Sequence, residues 1–235
     1  MRVVVVIPTY NEAPYIEKLI LRVLYLHPNF DILVVDDNSP DGTGGLLDIL
    51  VNKSERVKVL HRKQKSGLGR AYVAGFKYIL SSDNHYDRII QMDADFSHDP
   101  KYLIDLIKAT ETKDISLGSR YIFGGRITRW NSFRRMVSYI ANIYARRLLN
   151  LKINDCTSGF RCFRREVLDQ IKLETIESNG YLFQIEVLSR CSRLGFSMQE
   201  VPIIFVEREY GKTKFSFYDI WEAFWGILKL SILKS

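Results

Sequence analysis

RIIQMDADFSHDP, residues 88–100, decides how this chain is read. An apolar run, RII, leads almost at once into two aspartates separated by a single alanine. If the strand continued, Asp93 and Asp95 would point to the same side, because side chains alternate along a strand. Two carboxylates held that close repel one another unless something positive sits with them. The plainer alternative is an exposed acidic turn before a helix, with Asp99 as N-cap and Pro100 in the first helical position. That alternative accounts for Asp99 and leaves Asp93 and Asp95 unexplained.

Outward from this stretch, strand-like and helical patterns alternate. VVVVI (3–7) precedes a predicted helix over about 14–26, and DILVV (31–35) one over about 43–51. RVKVL (56–60) precedes a helix over about 67–80, RIIQM (88–92) one over about 100–109, and ISLGS (115–119) closes the series. This rhythm predicts an α/β fold with a mostly parallel, Rossmann-like sheet covered by helices on both faces. Beyond residue 120 the pattern changes. A long Arg-rich helix is predicted over about 131–150, then a Gly-containing loop, DCTSGF, helices over about 165–171 and 181–194, and an extended segment, QEVPIIFVER, over 199–208. The last stretch, from Phe215 onward, reads as an apolar, amphipathic helix. With no repeat and no linker, a single domain is expected, with a nucleotide-binding half over 1–120 and an acceptor half over 121–235.

Composition narrows the function. An apolar fraction of 46% in 235 residues supports a sizeable core, and a net charge of +7 favours an anionic partner. Nucleic acid, a membrane surface and phosphorylated substrates all carry that charge. No zinc-finger, helix-turn-helix or RNP-like pattern is present, so nucleic acid is not expected. Cys156, Cys162 and Cys191 are odd in number and without CxxC spacing, and read as reduced thiols. The N-terminus MRVVVVIPTYNE has one basic residue and six consecutive apolar positions, and reads as a core strand, not a signal peptide.

In an open parallel sheet, ligands bind beyond the carboxyl ends of the strands. Three predicted strands end in polar clusters, IPTYNE (7–12), VVDDNSPD (34–41) and MDAD (92–95), so Glu12, Asp36, Asp37, Asp93 and Asp95 are expected to share one rim. Carboxylates gathered in a cleft suggest a hard divalent cation, Mg²⁺ or Mn²⁺, with only one or two protein ligands and substrate phosphates filling the remaining positions. A diphosphate in turn suggests a nucleotide. The Rossmann dinucleotide fingerprint is absent: GLGRAY (67–72) has Tyr72 where the last glycine is required, and IPTYNE follows the first strand in place of a Gly-rich turn. No P-loop pattern occurs either.

IPTYNE, VVDDNSPDGT, KSGLGRAYVAGF, MDADFSHDP, LGSRY, TSGFR and EREYGKTKF, in that order, resemble the family-2 glycosyltransferases of GT-A fold, from residue 2 to about 215. Within that family the pattern is most similar to the dolichyl-phosphate (polyprenyl-phosphate) mannose synthases of the short form, which lack a transmembrane domain. The resemblance implies inverting transfer of mannose from GDP-mannose to a dolichyl or polyprenyl phosphate. It places Pro8, Tyr10, Glu12, Val35 and Asp37 around the base and ribose. Asp93-Ala94-Asp95 matches the family's DxD motif, with Asp95 as first metal ligand, Asp93 touching ribose or metal, and Ala94 keeping the approach slim. Ser97 stands where some relatives carry Gln, so it reaches a metal directly or through water. Arg120, Arg134 and Ser138 would hold the lipid phosphate; Arg134 and Ser138 are four apart and share a helical face. Arg208 and Lys214, in the EREYGKTKF loop, would contact the donor diphosphate.

A lipid acceptor raises the question of the membrane. No uninterrupted apolar stretch reaches the ~18–20 residues needed to span a bilayer. The C-terminal helix and the Arg-rich, aromatic segment 126–147 instead suit peripheral attachment at the cytoplasmic face, directly or through the small membrane subunit that short-form relatives use. Two other readings stay open: a UDP-sugar, such as UDP-glucose, as donor to the same lipid class, and a non-catalytic sugar-nucleotide-binding subunit.

Overall fold

All seven residues of the first strand, β1 (Val3–Thr9), are buried. Alternation sends Val3, Val5 and Ile7 into one apolar cluster and Val4 and Val6 into another, so the strand is covered on both faces. A sequence of four consecutive valines fits such a strand because neither face meets water. The protein is described by a computed structural model over residues 1–207 and 217–232.

The other elements follow the alternation read from the sequence. They are α1 (Ile16–Leu26), β2 (Phe30–Asp36), α2 (Thr43–Lys53), β3 (Val57–His61), α3 (Leu68–Ser81), β4 (Arg88–Gln91), α4 (Leu103–Ala109) and β5 (Ile115–Ser119). Asp99 does cap the turn before α4: its side chain accepts the Lys101 N–H at 3.0 Å, and Pro100 follows it. Beyond residue 120 come β6 (Arg126–Thr128), α5 (Ser132–Leu149), β7 (Arg161–Arg164), α6 (Arg165–Gln170), α7 (Gly180–Arg193), β8 (Met198–Pro202), β9 (Ile204–Val206) and α8 (Phe217–Ile232). Apolar residues of α1, α2 and α4 fill one side of the sheet, and those of α3, α6 and α7 fill the other.

The main sheet has the order β3-β2-β1-β4-β7-β5-β8. All pairs are parallel except those of β7, which runs antiparallel between β4 and β5. This strand corrects the sequence reading, which treated DCTSGF as a loop leading directly into a helix. RCFR is four residues long with an arginine at each end, so it shows neither an apolar run nor a clear alternation. Its place comes from the open hydrogen-bonding edges of β4 and β5 on either side. The extended segment 199–208 also divides. Pro202, with no N–H to donate, ends β8, and β9 pairs with β6 in a separate two-stranded sheet. The sheet thus draws β7 and β8 from the second half of the chain.

Parallel pairing sets the ends of three strands side by side: Thr9 of β1 pairs with Asp36 of β2, and Val6 of β1 with Gln91, the last residue of β4. Over this edge lies α5, whose Asn131 caps the helix by accepting the Arg134 N–H at 2.8 Å. The helix stops at Asn150, which takes the left-handed conformation, φ 52°. Only Asn142, Ala145 and Leu149 of this 18-residue helix are buried. Helix α8 lies beside it, with Ile227 in a third apolar cluster shared with α5 and α7. Among the described residues, no helix is long and apolar enough to cross a membrane.

Candidate active site

A cleft of about 610 Å³ opens at the carboxyl ends of β1, β2 and β4. Each strand end contributes to it: Pro8 near the end of β1 with Tyr10 and Glu12 after it, Asp37 after β2, and Asp93, Ala94, Asp95 and Ser97 after β4. Arg120, just beyond β5, and Arg134, on α5, line the same cleft. The structure thus brings most of the residues singled out from the sequence to one cleft, but Asp93 and Asp95 reach it by another route than the expected one. β4 ends at Gln91, so the two aspartates share the cleft through the loop that follows and not through strand alternation. Phe96, with φ 61°, turns that loop.

Several side chains are held in place by specific bonds. Asp37 accepts from Arg62 Nη1 at 2.5 Å and from the Ser66 N–H at 3.1 Å. Lys65 sits over the Tyr10 ring with its Nζ 3.9 Å from the centroid. Asp95 Oδ1 accepts the Ser97 N–H at 3.0 Å. Asp93 Oδ1 accepts from the Tyr72 hydroxyl at 2.8 Å, and the Asp93 N–H donates to His98 Nδ1 at 3.0 Å. Burial pushes the His98 imidazole below its usual pKa, which favours the neutral ring. An Nδ1 that accepts a backbone N–H cannot also carry a proton, so the 3.8 Å approach of Asp93 Oδ2 to that nitrogen is not an ion pair.

The basic wall is built differently from the expectation. The Arg120 guanidinium donates from Nε to Asp155 Oδ2 and from Nη2 to Asp155 Oδ1, both at 2.6 Å, and from Nη2 to Thr157 Oγ1 at 2.7 Å. Burial works against its charge, but the Asp155 carboxylate more than offsets that and raises its pKa. Arg120 therefore enters the cleft with much of its donor capacity already engaged. Arg134 Nη1 pairs with Glu207, and its guanidinium lies 4.0 Å from the centroid of the Trp130 ring.

Three expected positions are placed elsewhere. Val35 does not line the cleft: its side chain is fully buried beneath α3, in the apolar cluster of Val4, Val6 and Phe76. Ser138 shares a helical face with Arg134 but lies a turn further along α5, outside the cleft lining, where its Oγ accepts from the Tyr121 hydroxyl at 2.8 Å. Asp36 turns inward and ties the ends of β1 and β2 together, accepting from Thr9 Oγ1 at 3.1 Å and Ser39 Oγ at 2.6 Å. Arg208 and Lys214 lie outside the described residues. On α7, Gln184 lines the cleft, while Glu186 is committed to Arg190. His98, inside the MDADFSHDP stretch, also lines the cleft, as do Trp130 and Phe205, which no motif marks and only the fold brings there.

An α/β sheet whose acidic strand ends open into a cleft with arginines opposite in charge has the build of a GT-A-type glycosyltransferase. The chain belongs to glycosyl transferase family 2, whose family model matches residues 4–172. It is 45% identical over 216 residues to an undecaprenyl-phosphate mannosyltransferase from Micrococcus luteus, a match that covers 92% of this chain and 88% of the relative. It is 46% identical over 233 residues to a polyprenol monophosphomannose synthase from Mycolicibacterium smegmatis, covering 96% and 87%. Among solved structures it resembles a mannosyltransferase from Pyrobaculum calidifontis in complex with GDP-Man and Mn²⁺, with a TM-score of 0.64 at 16% identity; all of this chain matches 65% of that one. A glucosyl-3-phosphoglycerate synthase from Mycobacterium tuberculosis, in complex with Mn²⁺, UDP and phosphoglyceric acid, gives a TM-score of 0.71 at 18% identity, over 98% of this chain and 78% of the other. At such identities the structural likeness is one of fold.

Proposed function

We propose that this glycosyltransferase moves mannose from GDP-mannose to a dolichyl or polyprenyl phosphate, with inversion at the anomeric carbon and with Mg²⁺ or Mn²⁺. The observation that carries the reading is the shared cleft: carboxylates from the ends of β2 and β4 and a guanidinium from α5 face one space of about 610 Å³. The named activities of the two relatives at 45% and 46% identity support the acceptor and the sugar.

The acceptor chemistry suits these residues. A phosphate monoester, with its second pKa near ~6, is already largely dianionic at neutral pH, so no protein base is needed. One phosphate oxygen attacks the anomeric carbon, the bond to the GDP phosphate oxygen breaks, and the electron pair leaves with GDP. Arg134 is the residue to hold the attacking phosphate, since an Arg fork matches phosphate geometry. Arg120, braced by Asp155, shapes that end of the cleft. Pro8, Tyr10, Glu12 and Asp37 border the nucleotide, and Arg208 and Lys214 are proposed to contact its diphosphate.

The donor set fits a hard cation. Asp93 and Asp95 offer carboxylate oxygens, with Ser97 beside them. Two carboxylates would leave the remaining positions of such a cation to water and substrate phosphates. When bound, such a cation would offset the charge of the departing diphosphate.

The cytoplasmic face of a membrane is the proposed location. Phe133, Met136 and Ile140, at i, i+3 and i+7 on α5, are more than half exposed, and Arg126, Arg129, Arg135 and Arg147 are exposed around them. The apolar stripe would enter the interface and the arginines would meet anionic headgroups. Direct attachment is preferred to a separate membrane subunit because both features lie on this chain.

Thermal unfolding with Mn²⁺ plus GDP, UDP or neither, on wild type and Asp95→Ala, tests the proposal. A metal-dependent rise in Tm with GDP, lost in the variant, is expected, because a ligand that binds only the folded state stabilises it by mass action. A rise with UDP alone would overturn the donor. No rise with either would overturn the nucleotide site.

A further inference from the structure

Tyr72 occupies the position where a dinucleotide fingerprint would need glycine, and its side chain has a definite task. The residue is fully buried on α3, with its ring stacked on Phe183 and Phe76, each at a centroid distance of 5.9 Å. Held by those rings, its hydroxyl reaches 2.8 Å from Asp93 Oδ1. A buried hydroxyl on a well-packed ring does not swing to a second partner, and a bond to a carboxylate is of the stronger, charge-assisted kind. From the other side, the Asp93 N–H is taken by His98 Nδ1, which is itself stacked on Phe160 at 4.8 Å. The backbone of Gly159 passes so near that a Cβ there would lie 3.4 Å from Asp93 Oδ2. Asp93 is thus fixed at its backbone and at Oδ1, and among the described residues Oδ2 accepts no hydrogen bond.

We propose that Tyr72 is a positioning residue for Asp93, fixing its carboxylate so that Oδ2 is presented to the metal–nucleotide diphosphate in the cleft. The inference rests on the functional reading above. The hydroxyl is the donor in this bond, since its partner is a carboxylate oxygen that only accepts. Residues that orient the groups around a metal cost ~10–100-fold in affinity or activity when altered.

The test is calorimetric titration of GDP into the full-length protein, with Mn²⁺ and without it, for wild type, Tyr72→Phe and Tyr86→Phe. Tyr86 is the control, because its hydroxyl makes the same kind of bond, 2.7 Å to Asp31 Oδ2, away from the cleft. Tyr72→Phe is expected to weaken Mn²⁺-dependent GDP binding on the order of tenfold and to leave metal-free binding unchanged, while Tyr86→Phe matches wild type. Equal binding by Tyr72→Phe and wild type would overturn the proposal, as would an equal loss in Tyr86→Phe. Failure of wild type to bind GDP, and equally UDP titrated in the same way, would instead overturn the functional reading. Should Tyr72→Phe not fold, tyrosine-¹³C NMR of wild type reads the same contact: a shift of the Tyr72 Cζ resonance on adding GDP and Mg²⁺ is expected, and an unmoved resonance overturns it.

Discussion

Arg120 and Asp155, thirty-five residues apart, form a bidentate pair in which Nε and Nη2 each lie 2.6 Å from a carboxylate oxygen. The carboxylate also accepts the Arg120 backbone N–H at 3.0 Å. Asp155 is wholly buried and Arg120 nearly so, and the guanidinium is walled by Tyr121, Trp130 and Phe205. Removing one partner of such a pair leaves an uncompensated charge in the interior. Asp155→Ala is therefore expected to lower unfolding stability by about 3–5 kcal/mol. Arg120→Ala is expected to do likewise, and the double variant is expected to cost less than the sum of the two. Urea denaturation of the four proteins measures this. Additive losses would mean that the two groups do not act as a pair.

Arg134 is the guanidinium with the fewest structural commitments of the two in the cleft, since its partners are the Trp130 face and Glu207 at the cleft edge. Arg134→Ala is expected to raise KM for the polyprenyl phosphate ~10–100-fold, the scale of a lost bond between charged groups, with GDP affinity unchanged. Arg134→Lys recovers part of this, because an ammonium supplies charge without the planar fork. Steady-state kinetics with acceptor and donor varied separately decides it. A loss confined to donor KM would move Arg134 to the nucleotide side.

Most helices and parallel strands could be read from the sequence because they carry a local signal, an apolar run or a 3.6-residue period, and Asp99 marks the turn before α4. The acidic rim could be read because parallel strands must end on one edge. The rest depended on geometry that no local signal contains. Val35 and Asp37 have the same parity, yet β2 ends at Asp36, so Val35 keeps the sheet face under α3 while Asp37 turns into the cleft. Ser138 shares a face with Arg134, but four residues advance a helix by about 6 Å, enough to leave the cleft. β7 owes its position to two neighbouring strands, and the Arg120–Asp155 pair to a contact across a loop and a strand end.

The three cysteines lead to a prediction about pH. Burial raises Cys156, Cys162 and Cys191 from the ordinary 9.0 to about 12. Above pH 9 the unfolded chain loses these protons while the folded chain keeps them, so the unfolded state binds fewer protons and stability falls as pH rises. Their stabilising contribution is complete below about pH 9 and is lost through the window up to about 12. Urea midpoints measured from pH 7 upward are expected to hold steady and then fall above about pH 9. A thiol reagent at pH 8 is expected to label the cysteines only as the protein unfolds. Rapid labelling of the native protein would contradict the burial of all three.

The exposed face of α5 yields the last prediction. Phe133, Met136, Tyr139 and Ile140 are each 52–55% exposed and Phe123 is fully so, a concentration that a water-facing helix would not carry without cause. Helix α8 adds Phe224 and Trp225 nearby, tied to α5 by the stack of Phe224 on Tyr144 at 4.8 Å. Helix α5 itself holds Arg134 in the cleft, so a lipid entering along α5 would bring its phosphate towards the reacting centre. Wild type is expected to sediment with vesicles containing anionic phosphatidylglycerol, and less with neutral phosphatidylcholine, with binding that weakens as salt rises. Met136→Glu with Ile140→Glu is expected to abolish sedimentation and leave Tm and GDP binding unchanged, since both side chains face solvent. The double variant should also lose transfer to a long-chain polyprenyl phosphate in vesicles while retaining transfer to a short, water-soluble one. Equal loss with both acceptors would mean that this face serves the cleft itself and not the membrane.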